Sequence, residues 1–260
     1  MDETAYQSLR LSIADQIATV TLDRPPVNAQ TRATQDEIAL CFDRLSDMPE
    51  VRAVILTGAG RVFSAGADIK ARVGAAPSLG GDRQHLRSAR ESYHAIMECR
   101  KPVIAAINGP ALGAGLALVA SCDILVAAEE AELGLPEVTV GLMGGCRHAM
   151  RLFGHSTVRR MMFTGERLRG PELYRRGVVE ECVPQAGLMA AAAAIAARIA
   201  GLSPTAVQLA KHSINTIETM SLRDGYRFEQ DMTMQLSKTP DAIEAKRAFL
   251  EKRKPVFGDG

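Results

Sequence analysis

Residues 17–22 (IATVTL) alternate apolar and polar positions and are rich in β-branched side chains, the signature of a half-buried strand. Asp23-Arg24-Pro25-Pro26 ends it, because proline cannot continue a ladder. Over residues 34–45 the spacing changes: Ile38, Leu40, Cys41, Phe42 and Leu45 recur at helical intervals. A second strand is expected over 51–57 (VRAVILT), closed by Gly58-Ala59-Gly60. The more polar stretch 74–82 (GAAPSLGGD) reads as a loop, followed by helix to about Cys99. Residues 102–107 (PVIAAI) then form a buried strand and Asn108-Gly109-Pro110 a turn. A helix of small residues is expected over 111–120 and another strand over 123–127. Strand, turn, small-residue helix, strand is α/β organisation around a largely buried sheet.

The last third reads differently. Helical patterns occupy 188–200, 204–220, 222–236 and 241–252 almost without interruption. A soft boundary near Gly201, at the Leu202-Ser203-Pro204 turn, divides an α/β core (residues 1–200) from a helical region (residues 201–260). At 260 residues the chain suits one α/β core with an appendage, and it can bury roughly three quarters of its unfolded surface without disulfide or metal.

Charge and cysteines narrow the function. Thirty-one basic and 30 acidic residues leave a net charge of +1, not the one-signed field on which non-specific nucleic-acid binding relies. Cys41, Cys99, Cys122, Cys146 and Cys182 are odd in number and lack metal-ligand spacing, which suits reduced thiols of a cytoplasmic protein. Met1-Asp2-Glu3-Thr4 is acidic where a signal peptide would be basic, and the apolar stretch 103–120 is too interrupted to span a membrane. The expected location is therefore cytoplasmic, with no nucleic-acid or membrane partner.

Three segments could carry chemistry. In residues 63–70 (FSAGADIK) small side chains would let a ligand approach the main chain, whose free amides could donate to developing negative charge; the bland alternative is a connecting glycine turn. In residues 108–117 (NGPALGAGLA) a strand feeds a helix made almost wholly of Gly and Ala. Glycine costs about 1 kcal/mol in a helix, so Gly113 and Gly115 imply either a working backbone surface or close helix packing. In residues 133–137 (LGLPE) one carboxylate, Glu137, stands in an apolar stretch. Desolvated, it could act as acid or base near neutral pH; the alternative is a solvent-facing helix opening. Dinucleotide, nucleophile-elbow, Walker and paired-histidine metal motifs do not occur, and the five histidines are scattered.

In order and spacing, these segments resemble the enoyl-CoA hydratase/isomerase (crotonase) family across nearly the whole chain. The resemblance also rests on residues 54–58 (VILTG), Lys101 to Gly115, Cys122-Asp123-Ile124, Thr164-Gly165 and 249–254 (FLEKRK). It implies an α/β fold: a crotonase-like spiral of ββα units with a helical C-terminal trimerisation region, assembled as a homotrimer or as a hexamer of two trimers. It implies acyl-coenzyme A substrates and no cofactor beyond the coenzyme A they carry. The thioester oxygen would sit between the Ala67 and Ala114 amides. Ala65, Asp68, Ile69 and Lys70 would line the adenine and pantetheine path, with Arg24 near the phosphates. Phe249 and Lys252 would reach a neighbouring subunit's coenzyme A.

One departure from the family pattern bears on the reaction. Hydratases of this family carry two glutamates, one shortly after the glycine-rich helix start and one in the Pro-Glu segment. Here the first position is Ala117, and Glu137 stands alone twenty residues later. One carboxylate suffices for moving a double bond, so the resemblance implies an isomerase-like proton shuttle. The alternatives are a hydratase with a second acid or base from elsewhere, or a catalytically inactive acyl-CoA-binding relative. Tyr93, Glu91, His94 or the Cys146-Arg147-His148 loop could supply such a group, although structural or solvent-facing roles are the simpler expectation for each. The segment 72–94, Met143, Phe153 and Met161 are candidates for shaping the acyl pocket.

Overall fold

The structure, a computed structural model, describes residues 6–70 and 79–258. Its first hairpin joins β1 (Leu9–Ala14) to β2 (Ile17–Leu22) through Asp15 and Gln16, both at positive φ (51° and 65°). Two such residues give a turn whose twist matches that of the flanking strands. β1 is absent from the sequence expectation. Only Leu9 of its alternating Leu9, Leu11 and Ile13 is buried, so its apolar face is weak.

The chain continues through α1 (Arg32–Asp47), β3 (Ala53–Gly58), α2 (Gly81–Glu98), β4 (Val103–Ile107), β5 (Pro110–Leu112), α3 (Ala114–Ala120), β6 (Ile124–Ala128) and β7 (Glu132–Gly134). A single 3₁₀ turn over Glu137–Val140 leads to α4 (Cys146–Leu152), α5 (His155–Thr164), β8 (Arg167–Arg169), α6 (Gly170–Arg175) and β9 (Glu181–Val183). Helices α7 (Leu188–Ala200), α8 (Pro204–Ile217), α9 (Leu222–Ser237) and α10 (Pro240–Leu250) complete it.

The main sheet has the order β1-β2-β3-β4-β6-β9; only β1 is antiparallel to its neighbour. A small second sheet, β5-β7-β8, stands beside it. Strands β3 and β4 are buried nearly throughout because both faces of the main sheet are covered. Alternate side chains take opposite faces. Ala53, Ile55, Ile104, Ala106, Val126 and Ala128 meet Leu188, Ala192 and Ala196 of α7, whose alanines bring the helix close. Val54, Leu56, Val103, Ala105 and Ile107 point the other way, into the larger core with Phe42, Ile96 and Leu116.

Two expectations need correction. Of the loop expected over 74–82, residues 74–78 lie outside the described residues, while Gly81 and Asp82 already belong to α2. The helix expected from residue 111 starts at Ala114, because Pro110–Leu112 pairs in parallel with β7 before the helix begins. The C-terminal helices lie close to their expected bounds. Ser203, Ser221 and Thr239 cap α8, α9 and α10 by accepting from the amides of Ala206, Asp224 and Ala242. Among the described residues no single helix is long and apolar enough to cross a membrane.

Helix α8 is tied to the sheet by one buried cation. The Lys211 ammonium donates to Asp123 Oδ2 (2.7 Å) and to the carbonyl oxygens of Lys101 (3.0 Å) and Ile96 (3.4 Å). The same Asp123 oxygen accepts from the Val103 amide at 2.7 Å. Lys211→Met would leave two carbonyls without this donor and the carboxylate with the Val103 amide alone. It should lower stability by about 3 kcal/mol, read as a reduced urea midpoint with an unchanged slope.

Candidate active site

The segment after β3 and the connector between β4 and α3 are pressed together backbone to backbone. The Ser64 amide donates to the Pro110 carbonyl (3.1 Å) and the Leu112 amide to the Ser64 carbonyl (2.9 Å), pairing Ser64 with Ala111 in a parallel bridge. Gly115 lets α3 lie on this segment, since a methyl group there would run into the Ser64 carbonyl. For Gly115, then, close packing is the reason for glycine. A Cβ on Gly66 would come within 2.6 Å of the Leu112 oxygen and 3.4 Å of the Ala114 nitrogen. The peptides of Ala67 and Ala114 therefore sit side by side.

Both of those amides are unspent. Gln30 bridges the chain around Ala67, its amide donating to Gly66 O (2.8 Å) and its carbonyl accepting from Asp68 N (2.9 Å), which leaves the intervening Ala67 N–H turned away. Ala114 is the first residue of α3, where no helical carbonyl is available to its N–H. Among the described residues neither N–H has an acceptor. Side chains that the sequence reading missed hold this frame. Asn28 donates to the carbonyls of Ala59 (3.0 Å) and Val62 (2.7 Å), and Ser64 Oγ donates to Asn28 O (2.8 Å). Gln30 in turn donates to Ser64 Oγ at 3.2 Å.

Glu137 reaches the same place from the other side. Gly113 donates to the Gly134 carbonyl at 2.9 Å, joining the connector to the strand that precedes Pro136. At φ 56° Gly113 occupies backbone space that suits glycine. A Cβ there would stand 2.6 Å from Glu137 Oε1 and 3.1 Å from its Cδ. The carboxylate thus lies against the peptide that leads into Ala114. Its Oε2 is buried with no hydrogen-bond partner among the described residues. Burial pushes this carboxyl above the usual carboxylate range, and a hydrogen bond from its own backbone only partly offsets that.

These groups face one cavity of about 500 Å³, whose lining includes Ala65, Ala67, Ile69, Ala114, Ala117 and Glu137. Glu137 is its one carboxylate among the described residues. Arg24 and Asp68 form an ion pair (2.9 Å), and Arg24 also donates to Ala29 O at 3.1 Å. Lys70 is exposed. Phe249, on α10, is exposed beside a separate hollow with Ala245, Lys246 and Leu250; Lys252 follows that helix, and neither lines the cavity. A more polar hollow of about 620 Å³ around Asp123, Arg151 and Arg198 contains none of the expected site residues.

Of the groups considered as a second acid or base, Tyr93 and His148 line the cavity, whereas Glu91 is exposed beside Arg90. His85, Ala89 and Tyr93 descend one face of α2 at helical spacing. Burial, then the charges of Arg151, His94 and Arg147, push the His148 imidazole below its ordinary range. Cys146 is close enough for the Glu137 charge to add to burial in raising its thiol. Met143 contributes to the lining, while Phe153 and Met161 are core residues away from it.

The sequence pattern of the family described as enoyl-CoA hydratase/isomerase matches residues 12–260. A hydrolase of a dioxo-hexahydroindene-carboxyl-CoA from Rhodococcus jostii is 35% identical over 241 residues, covering 93% of each chain. A carnitinyl-CoA dehydratase from Salmonella typhimurium is 35% identical over 259 residues, covering 96% of this chain and 98% of the relative. The crystal structure of an enoyl-CoA hydratase from Bacillus anthracis superposes with a TM-score of 0.92 at 33% identity, covering 98% of this chain and all of the other (100%). A family match over nearly the full length, carried on a shared crotonase fold, establishes that this chain is an enzyme of the enoyl-CoA hydratase/isomerase family.

Proposed function

We propose that the chain binds an acyl-coenzyme A with its thioester oxygen between the Ala67 and Ala114 amides and uses Glu137 as its single acid/base to move a double bond along the acyl chain. The ionised carboxylate takes a proton from the carbon beside the thioester of a 3-enoyl-CoA. The electron pair left behind is delocalised over the thioester and the double bond, with the negative charge resting on the oxygen between the two amides. The same carboxyl then returns the proton to the fourth carbon, leaving the conjugated 2-enoyl-CoA. Oxyanion donors of this kind contribute about 3–4 kcal/mol each to lowering a barrier.

The observation that carries this reading is the composition of the cavity wall. Ala117, 1% exposed, stands where a second carboxylate would divide water activation from protonation, and no other carboxylate lines the cavity among the described residues. Coenzyme A would pass Ala65, Asp68, Ile69 and Lys70, with Arg24 near its phosphates. Phe249 and Lys252 would serve a neighbouring subunit of a trimer or hexamer. Addition of water, with a non-carboxylate partner for Glu137, is the second reading; the relatives named as a dehydratase and a hydrolase both handle water.

Incubation with 3-enoyl-CoA should raise the conjugated enoyl absorbance, while 2-enoyl-CoA should keep it; loss of absorbance from 2-enoyl-CoA would mean hydration instead. Glu137→Gln should lower the isomerase kcat by roughly 10²–10⁴-fold, and an unchanged turnover would remove Glu137 as the acid/base. Because the carboxylate is the working base and burial raises its pKa above the ordinary 4.5, kcat/KM should fall as pH drops, with a midpoint above that value. Gly113→Ala forces a methyl group against the carboxylate at a positive φ. It should cost on the order of 10²-fold in kcat with circular dichroism unchanged.

A further inference from the structure

At the floor of the cavity stands a polar group that neither amide nor carboxylate chemistry uses. Tyr93 is 9% exposed, and its ring meets that of His148 edge to face, with centroids 4.8 Å apart and planes at 68°. Ring and helix together fix the phenol. Its hydroxyl makes no hydrogen bond among the described residues, yet it is not among the polar atoms sealed from solvent. Burial, followed by the charge of Glu137, holds the phenol far above its ordinary titration range, so it remains a neutral O–H donor. Once a ligand covers it, a donor without an acceptor is costly. Nearby, Glu137 Oε2 is a buried acceptor without a donor. A hydrocarbon acyl chain would cover both and satisfy neither.

We infer that Tyr93 donates a hydrogen bond to an oxygen carried on the acyl group, so that the site prefers acyl thioesters bearing a hydroxyl or keto oxygen over plain hydrocarbon chains. A hydroxyl serves best, since it accepts from Tyr93 and can donate to Glu137; a keto oxygen satisfies the phenol alone. The inference rests on the cavity being an acyl-thioester site, and it does not need the double-bond shift to occur.

Equilibrium binding therefore tests it apart from turnover. Titration calorimetry in a Glu137→Gln background, where proton transfer cannot consume the ligand, would compare butyryl-CoA with its 3-hydroxy, 4-hydroxy and 3-oxo derivatives. At least one oxygenated ligand should bind about threefold to tenfold more tightly than butyryl-CoA, the effect of one neutral hydrogen bond. Adding Tyr93→Phe, which keeps the ring on His148, should bring that ratio to about one for the 3-oxo ligand, whose oxygen meets the phenol alone, and should lower it for the hydroxy ligands. Taking the ratio within each variant cancels any general weakening of the site. The inference is overturned if the parent shows no preference, or if the preference is undiminished in the Tyr93→Phe variant. Loss of isomerase activity with the binding ratio intact would instead count only against the reaction.

Discussion

The contact between the turn around Ser64 and the connector around Ala111 sets the geometry of the candidate site. Two main-chain hydrogen bonds and the approach of Gly66 to Leu112 put two peptide groups from distant parts of the chain within a few ångströms of each other. The contact tolerates no bulk, which is why alanine and glycine crowd these segments. It is also fed from behind by buried strands. β3 delivers the first segment and β4 the second, and the two strands are parallel neighbours, so both segments leave the same end of the sheet. A parallel sheet with covered faces is a rigid platform, and here its edge geometry fixes the spacing of the donors.

A second constraint ties the carboxylate to that platform. β5 pairs with β7, and β7 runs straight into Leu135, Pro136 and Glu137. The three segments therefore share one small sheet-and-bridge system, although residues 67, 114 and 137 lie far apart in sequence. The buried Lys211 at the opposite side of the strands performs a different task, holding α8 against the carboxylate of Asp123. Asp123 lies outside the cavity, so its place in the Cys122-Asp123-Ile124 segment has a structural explanation rather than a chemical one.

Much of this was legible in the residues. The buried strands announced themselves by composition, and the small-residue segments flagged backbone contact because glycine is otherwise unfavourable within a helix. The sequence could not separate the two reasons for glycine: Gly115 makes room for Ser64, whereas Gly113 makes room for Glu137 and adopts a positive φ. β5 was hidden because three residues carry no period. Tyr93 was only one of several candidates, for another reason. On an amphipathic helix an aromatic side chain at core spacing looks the same whether it faces packed side chains or an open cavity, and only tertiary placement distinguishes them.

The element that carries Glu137 is a single turn from Glu137 to Val140, closed by Gly141 at φ 71° and by the Leu142 amide on the Glu137 carbonyl. It contrasts with the platform beneath it. The two amides are built into the frame, whereas the carboxylate is carried on a single turn and has one oxygen without a partner among the described residues. On the proposed reading, such an arm can sweep between neighbouring carbons while the thioester stays anchored. The oxygen that must reach both carbons on that reading is the one left without a partner among the described residues.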